Sequence, residues 1–258
     1  MPRFAANLSF LFTELPFLDR FEAAAKAGFK AVEYLNPFEA PKAEIAARLK
    51  ANRLTQALFN MAHGDWTKGE RGMSAIPGRE TEFVKAVEAA LDCAEAFGCK
   101  RMFAMAGLRQ HGANRATYVA NLKAAAELCA PHAVDVIIEP INTRDIPGYF
   151  LNITEDARSI IHEVGAGNVG LQFDLYHRQV MQGDVVMAIR EFGYLAKHYQ
   201  IANPPDRGEP DDGELNYRTL FGEIDKSGFK GWIGCEYKPR NGTVAGLCWA
   251  ERCGVELG

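Results

Sequence analysis

The chain has 258 residues, of which 48% are hydrophobic and 24% charged, which is typical of a globular protein with a full apolar core. Its formal net charge of -4 argues against a nucleic-acid partner, because nucleic-acid-binding domains normally carry a basic excess. No window approaches the roughly 18 to 20 apolar residues of a membrane span, and residues 1–12 lack the pattern of a secretory signal. We therefore expect a soluble, cytoplasmic protein that does not bind membranes.

The six cysteines show no C-x-x-C spacing of the kind found in zinc sites. They lie in apolar or helical surroundings, which favours reduced thiols used as small core residues. They are Cys93, Cys99, Cys129, Cys235, Cys248 and Cys253.

A junction recurs along the chain, in which a helical pattern ends in glycine and a short β-prone run follows at once. It occurs at Gly28, Gly98 and Gly228. Glycine just past the last helical turn can adopt the left-handed conformation that caps a helix. Each junction therefore predicts a helix followed by a tight turn and a strand.

Eight strands alternating with helices predict one closed (β/α)8 TIM barrel, an α/β fold that spans residues 1–258 as a single domain. Several strands are continuous apolar runs, as expected for parallel strands covered on both faces. We place strands near residues 3–9, 31–35, 54–60, 101–106, 134–141, 169–174, 197–202 and 231–237. We place helices near residues 16–27, 40–51, 79–97, 117–130, 154–164, 184–192 and 216–226.

Two long loops follow predicted strands and would lie at the carboxyl end of the barrel, where binding and catalytic groups gather in this architecture. Residues 60–78 follow the third strand and are rich in glycine. Residues 202–215 follow the seventh strand and read ANPPDRGEPDDGEL. Any single side chain in these loops is equally compatible with a solvated surface position.

Strands five to eight each end in an apolar run closed by one polar side chain that offers an oxygen atom. These side chains are Glu139, Asp174, Gln200 and Glu236. Because the four strands are neighbours, we expect the side chains to converge above the barrel. Taken singly, such a side chain would more often cap a helix or pair with a lysine or arginine.

Three carboxylates that meet at the end of an apolar barrel repel one another and are costly to desolvate, unless they are protonated or share a cation. One divalent cation removes this conflict. Three carboxylates and one amide form an all-oxygen ligand set, which suits Mg²⁺ or Mn²⁺ better than zinc or copper. We therefore predict one bound Mg²⁺ or Mn²⁺ ion as the cofactor.

Seven segments resemble those of the hydroxypyruvate isomerase family, within the xylose isomerase-like barrel superfamily. They cover nearly the whole chain in order and read ANLSFLF, GDWTKGERG, IEPIN, FDLYH, HYQIAN, RGEP and GCEYKP. The resemblance implies that Glu139, Asp174, Gln200 and Glu236 are the metal ligands. It also implies that Glu139 and Glu236 act as proton donor and acceptor when hydroxypyruvate and tartronate semialdehyde interconvert through an enediolate. The residues alone agree on the ligand type but do not identify the acid and the base.

Four further side chains are candidates for binding the substrate. By resemblance to related ketose epimerases, His177 would point at a substrate oxygen, and Asp145 stands near a position where those enzymes carry glutamate. Arg207 is the better candidate for a substrate carboxylate, because a guanidinium matches it with two parallel hydrogen bonds. Lys238 lies two residues beyond Glu236 and would assist as a point charge. Weaker candidates for the pocket wall or a lid are Phe10, His63, Trp66, Glu70 and Arg71.

Several alternatives remain open at this level. Another isomerase of the superfamily, acting on 2-oxo-tetronate, or a ketose 3-epimerase would use the same strand-end residues. An enzyme resembling endonuclease IV is less favoured, since its three-zinc centre needs many histidines and this chain has six. A catalytically silent sugar-acid binding module would keep two glutamates around a metal without use. The expected partner is a small molecule, and homo-oligomerisation is compatible with the sequence although no assembly motif indicates it.

Overall fold

A computed structural model describes residues 2–257, and in it eight parallel strands close into one barrel. The strands pair in chain order, and the last pairs with the first, so that Phe4 lies beside Ile233. The predicted (β/α)8 barrel is confirmed. The strands are β1 (Phe4–Asn7), β2 (Ala31–Tyr34), β3 (Thr55–Met61), β4 (Arg101–Ala104), β5 (Asp135–Ile138), β6 (Val169–Asp174), β7 (Ala196–Ile201) and β8 (Ile233–Cys235).

Helices cover the outside of the barrel, and all seven predicted helices are present. The sequence patterns missed three short helices: the one that follows β6 directly and two near the carboxyl end of the chain. The helices are α1 (Arg20–Lys26), α2 (Lys42–Asn52), α3 (Glu80–Phe97), α4 (Arg115–Cys129), α5 (Thr154–Val164), α6 (Leu175–Met181), α7 (Val185–Phe192), α8 (Tyr217–Lys226), α9 (Thr243–Gly246) and α10 (Trp249–Cys253).

Five strands are shorter than predicted, and the residues lost from their carboxyl ends belong to the loops that follow. β5 ends at Ile138, and β8 ends at Cys235. Glu139 and Glu236 therefore stand on the first residue after their strands rather than within them. At this position their side chains point at the space above the barrel.

The predicted junction glycines adopt the left-handed conformation, with φ of 105° at Gly28, 65° at Gly98 and 79° at Gly228. After α3, the Gly98 amide bonds back to the last helical turn, and Cys99 then bonds to the carbonyl of Ala94. A side chain at these positions would be strained, which explains why glycine marks each helix-to-strand turn.

The wall of the barrel near β1 packs against aromatic side chains from the end of the chain. The ring of Phe4 lies 5.3 Å from that of Trp249 and 5.2 Å from that of Phe221, both edge to face. The Trp249 indole N–H donates to the Tyr237 hydroxyl at 3.0 Å. Helix α10 thus seals the β1–β8 seam, next to the loop that carries Glu236.

The cysteines form no disulfide within residues 2–257. Five of them are buried, as predicted, but Cys248 is exposed, so its assignment to the core is wrong. It lies between α9 and α10, where the chain runs over the surface. None of the described helices combines the length and the apolarity that crossing a membrane requires.

Replacing Trp249 with alanine should destabilise the fold by about 3–5 kcal/mol, because a fully buried aromatic side chain leaves both a cavity and an unpaired Tyr237 hydroxyl. Urea unfolding followed by circular dichroism measures this loss. Val244→Ala in the neighbouring helix is the control, because Val244 is 68% exposed and should change stability by less than about 0.5 kcal/mol. Equal stability of the two variants would contradict the packing described for α10.

Candidate active site

The four side chains predicted at the ends of β5 to β8 gather at the mouth of the barrel. Glu139, Asp174, Gln200 and Glu236 are all buried, with at most 7% of any of them exposed. They form two groups. Glu139 and Asp174 lie beside His177. Glu236 lies beside Arg207, and Gln200 lies beside Glu33, a buried glutamate that the sequence patterns did not single out.

The two oxygens of Asp174 have different surroundings. Oδ1 caps helix α6 by accepting from the backbone N–H groups of Tyr176 at 2.7 Å and His177 at 3.3 Å. Oδ2 is buried and has no hydrogen-bond donor among residues 2–257. The carboxylate is therefore a helix cap on one side, and on the other it presents an unsatisfied oxygen to the site.

A cation fits between Glu139 and Asp174. Oε1 of Glu139 is a second buried oxygen without a donor in the described chain, and ligand atoms of Glu139, Asp174 and His177 lie within 4.8 Å of one another. Unsatisfied buried carboxylate oxygens are costly unless a cation or proton compensates them. The two oxygens, with His177 beside them, form a group that could hold a metal ion.

His177 sits over this pair, with its Nε2 3.6 Å from Asp174 Oδ2 and 3.8 Å from Glu139 Oε1. The backbone N–H of Asn142 points at the other ring nitrogen, Nδ1, at 3.4 Å. A backbone N–H can only donate, so Nδ1 accepts and the neutral ring carries its proton on Nε2. In this tautomer the Nε2–H of His177 faces the site, beyond hydrogen-bond distance of both oxygens, and the ring offers no lone pair there to a metal.

Glu236 is held by three donors. Its Oε1 accepts from the Arg207 guanidinium, and its Oε2 accepts from the Asn7 side chain at 2.9 Å and from the Gln200 amide. The Gln200 oxygen accepts from Gln172 at 2.5 Å. Because that oxygen is engaged, the geometry gives Gln200 a role in orienting Glu236, and its role as a metal ligand stays a prediction.

Glu33 is the main buried group that the sequence patterns missed. Its carboxylate accepts from His198 Nε2 at 2.6 Å, Gln200 at 2.8 Å and Asn7 at 3.0 Å, and so supports Glu236 from inside the barrel. A Cβ at Gly234 would collide with this carboxylate. The sequence does mark Glu33 as a polar residue within an apolar strand, the same feature that marks the strand-end residues of β5 through β8.

Arg207 bridges the two halves of the site. Nη1 donates to Asp145 at 2.8 Å, Nη2 donates to Glu236 and lies 3.9 Å from Asp174, and Nε bonds to the Glu236 carbonyl at 3.3 Å. The guanidinium carbon lies 4.8 Å from the centre of the Phe10 ring and 5.1 Å from that of the Tyr176 ring. Asp145 also accepts from Tyr176, so this carboxylate holds Arg207 and Tyr176 in place.

Burial dominates the electrostatics of the site. It raises the pKa of Glu139 well above its usual range, and the charges of Asp174 and Glu236 act in the same direction. Burial also raises the pKa of Asp174 to about 6 and that of Glu236 to about 8, against the opposing charge of Arg207. It lowers the pKa of His177 well below its usual value, so this imidazole is neutral. Glu139 and Glu236 therefore hold protons at neutral pH unless a cation replaces them, whereas Asp174 is largely ionised there.

A cavity of about 340 Å³ lies above these groups, within the size range of small-molecule sites. Nine of the predicted site residues line it, and Asp174 and Gln200 are not among its lining residues. His63 and Glu70 line neighbouring cavities, so their place in the wall or in a lid stays a prediction. The nine are Phe10, Trp66, Arg71, Glu139, Asp145, His177, Arg207, Glu236 and Lys238.

The family model described as xylose isomerase-like TIM barrel matches residues 21–253. The chain belongs to this family. It is 55% identical to a 2-oxo-tetronate isomerase of Cupriavidus necator, covering 97% of this chain and 98% of that protein. It is 44% identical to the hydroxypyruvate isomerase of Escherichia coli K12, with 97% and 99% covered.

Two solved structures share the barrel. A Brucella melitensis protein named as an AP endonuclease of family 2 superposes with a TM-score of 0.95 at 48% identity, covering 98% of this chain and 99% of that one. A D-allulose 3-epimerase from Methylomonas sp. gives a TM-score of 0.73 at 18% identity, covering 100% and 92%. The second likeness establishes the fold alone.

Binding of Mn²⁺ should release protons and tighten as pH rises, because the cation requires ionised carboxylates and the pKa of Glu139 is raised. Where one proton is displaced, the affinity should increase about tenfold per pH unit. Calorimetric titrations at pH 6 and pH 8, in buffers of different ionisation enthalpy, measure both quantities.

Glu139→Gln should weaken the Mn²⁺ binding, whereas Glu88→Gln, at an exposed position on α3, should leave it unchanged. A Mn²⁺ affinity that does not vary with pH, or that is equal in the two variants, would show that the ion does not bind at Glu139.

Proposed function

We propose that the chain is a metal-dependent isomerase that moves a proton between C3 and C2 of a small 2-oxo-3-hydroxy acid, with 2-oxo-tetronate as the favoured substrate. The observation that carries the proposal is the pair of unsatisfied oxygens of Glu139 and Asp174, next to a second buried glutamate, Glu236. Such a site combines a place for a cation with two groups that exchange protons near neutral pH.

Glu139 and Asp174 would hold the cation, with Glu236 and Gln200 as further predicted ligands. A divalent ion at this position supplies a Lewis acid for the oxygens of the substrate. Oxygen ligands favour Mg²⁺ or Mn²⁺.

The two glutamates divide the proton transfer. One carboxylate takes the proton from C3, which leaves an enediolate, and the other carboxyl group delivers a proton to C2. The hydroxyl proton passes from O3 to O2, so that the C2 carbonyl becomes an alcohol and the C3 alcohol becomes a carbonyl. Burial raises the pKa of Glu236 to about 8, which suits this exchange, because efficient general acids and bases titrate near the working pH.

His177 would stabilise the negative charge that develops on a substrate oxygen. Its Nε2–H points into the site, and the ring is neutral because burial lowers its pKa. A neutral donor gives up no proton to Glu139 or Asp174, so it stabilises the charge without competing for the acid and base roles.

The relatives favour a four-carbon substrate over hydroxypyruvate, which the sequence segments alone favoured. Identity to the 2-oxo-tetronate isomerase is 55%, against 44% for the Escherichia coli hydroxypyruvate isomerase. Hydroxypyruvate is the second candidate, because it offers the same adjacent carbonyl and hydroxyl groups to the same side chains. A nuclease is disfavoured, since the carboxylates lie at most 7% exposed on the floor of a cavity and the net charge is -4. A cytoplasmic location and homo-oligomerisation stay predictions.

Glu139→Gln and Glu236→Gln should each lower kcat for 2-oxo-tetronate by about 10² to 10⁴-fold, because an amide cannot exchange the proton. A coupled assay of product formation with added Mn²⁺ measures this loss, and circular dichroism checks that the fold is kept. Glu88→Gln serves as the control on the surface. A variant that retains full turnover would lose its place in the proton transfer.

Wild-type protein should show a higher kcat/KM for 2-oxo-tetronate than for hydroxypyruvate, since the longer acid makes additional contacts in the same cavity. Initial rates over a range of concentrations of each acid decide this. A preference for hydroxypyruvate would restore the second candidate without changing the roles of the glutamates.

A further inference from the structure

The cavity above the barrel has an acidic floor and a basic rim. Glu139 and Glu236 stand on its floor, whereas Arg71 and Lys238 enter it from the loops that follow β3 and β8. A cation that is partly shielded from water is unfavourable unless a group of opposite charge balances it. We therefore compare the partners of each cation that lines this cavity. Their own contacts show whether their charge is already balanced.

The charge of Arg207 is already balanced by protein groups. Its guanidinium pairs with Glu236 and Asp145, lies near Asp174 and lies close to the rings of Phe10 and Tyr176. Only 8% of the residue is exposed. Three of its five N–H groups are engaged and its charge faces two carboxylates, so less uncompensated charge is left for a substrate carboxylate at Arg207 than at a cation without an acidic partner.

Arg71 has no acidic partner among the described residues. Its Nη1 donates to the carbonyls of Glu70 at 2.6 Å and Trp66 at 3.5 Å, and its guanidinium lies 4.2 Å over the Trp66 ring. The adjacent Glu70 side chain is engaged by Arg79 at 2.8 Å and by the Asp65 amide. The carbonyls and the ring hold Arg71 in place, while Nε and Nη2 stay available to an anion.

Lys238 is exposed, and its ammonium forms no ion pair or hydrogen bond within residues 2–257. Its backbone N–H donates to the Arg207 carbonyl at 2.7 Å, which fixes where the lysine leaves the main chain. The side chain lines the same cavity as Arg71. The two unpaired cations therefore face one ligand space.

We infer that Arg71 and Lys238 bind the carboxylate of the substrate, Arg71 with two parallel hydrogen bonds and Lys238 as a point charge. The inference takes its substrate class from the proposed function. It orients the acid so that its carboxylate lies at the rim and its carbonyl and hydroxyl oxygens reach Glu139, His177 and Glu236. The two cations also favour acids over free ketoses, because a ketose carries no negative charge that Arg71 and Lys238 could bind.

Calorimetric titration with threonate tests the site, because this four-carbon acid carries a hydroxyl in place of the oxo group and is not isomerised. With Mn²⁺ present, Arg71→Met and Lys238→Met should each weaken threonate binding by about tenfold to a hundredfold. The KM for 2-oxo-tetronate should rise in parallel. Arg71→Lys should recover part of the affinity, and binding of erythrulose, an uncharged four-carbon ketose, should not change.

Arg109→Met and Lys85→Met are the matched controls. Arg109 also stacks on an aromatic ring, that of Phe150, and donates to a backbone carbonyl, but it does not line the cavity. Threonate binding as in the wild type for either Arg71→Met or Lys238→Met would overturn the inference, as would an equal loss for erythrulose or no threonate binding by the wild type. Because threonate needs no turnover, charge-dependent binding without isomerase activity would refute the proposed function and leave this carboxylate site standing.

Discussion

The crowding of buried carboxyl groups at the mouth of the barrel is the constraint on which the rest of the site depends. Arg207 compensates Glu236 and Asp145, but the facing oxygens of Glu139 and Asp174 have no donor among the described residues. A folded chain tolerates such a cluster only with protons or a cation. The same unsatisfied charge that weakens the fold thus prepares the site for a metal and for proton transfer.

The support beneath the site explains why the two glutamates differ. Glu236 is fixed by Arg207, Asn7 and Gln200, and Glu33 and His198 hold that arrangement from within the barrel. Glu139 has the Gln172 side chain beside it and faces Asp174 and His177. Two carboxyl groups in unlike surroundings have different proton affinities, which is what an acid and base pair on adjacent carbons requires.

The sequence predicted the barrel and the four strand-end residues because apolar periodicity, capping glycines and strand order are local properties of the chain. It did not predict helix α6, since Asp174 ends a strand and caps the helix at once. It did not predict the ion pairs of Arg207, whose contacts depend on a left-handed backbone with φ of 59° and on rings from distant segments. His63 and Glu70 lie on the expected loop but face other cavities, because side-chain direction within a loop follows from tertiary contacts.

Anomalous diffraction from crystals soaked in Mn²⁺ locates the ion without reference to activity. One strong peak is expected within bonding distance of Glu139 Oε1 and Asp174 Oδ2. A peak elsewhere, or a map in which both oxygens accept hydrogen bonds from protein groups and no ion lies between them, would contradict this expectation.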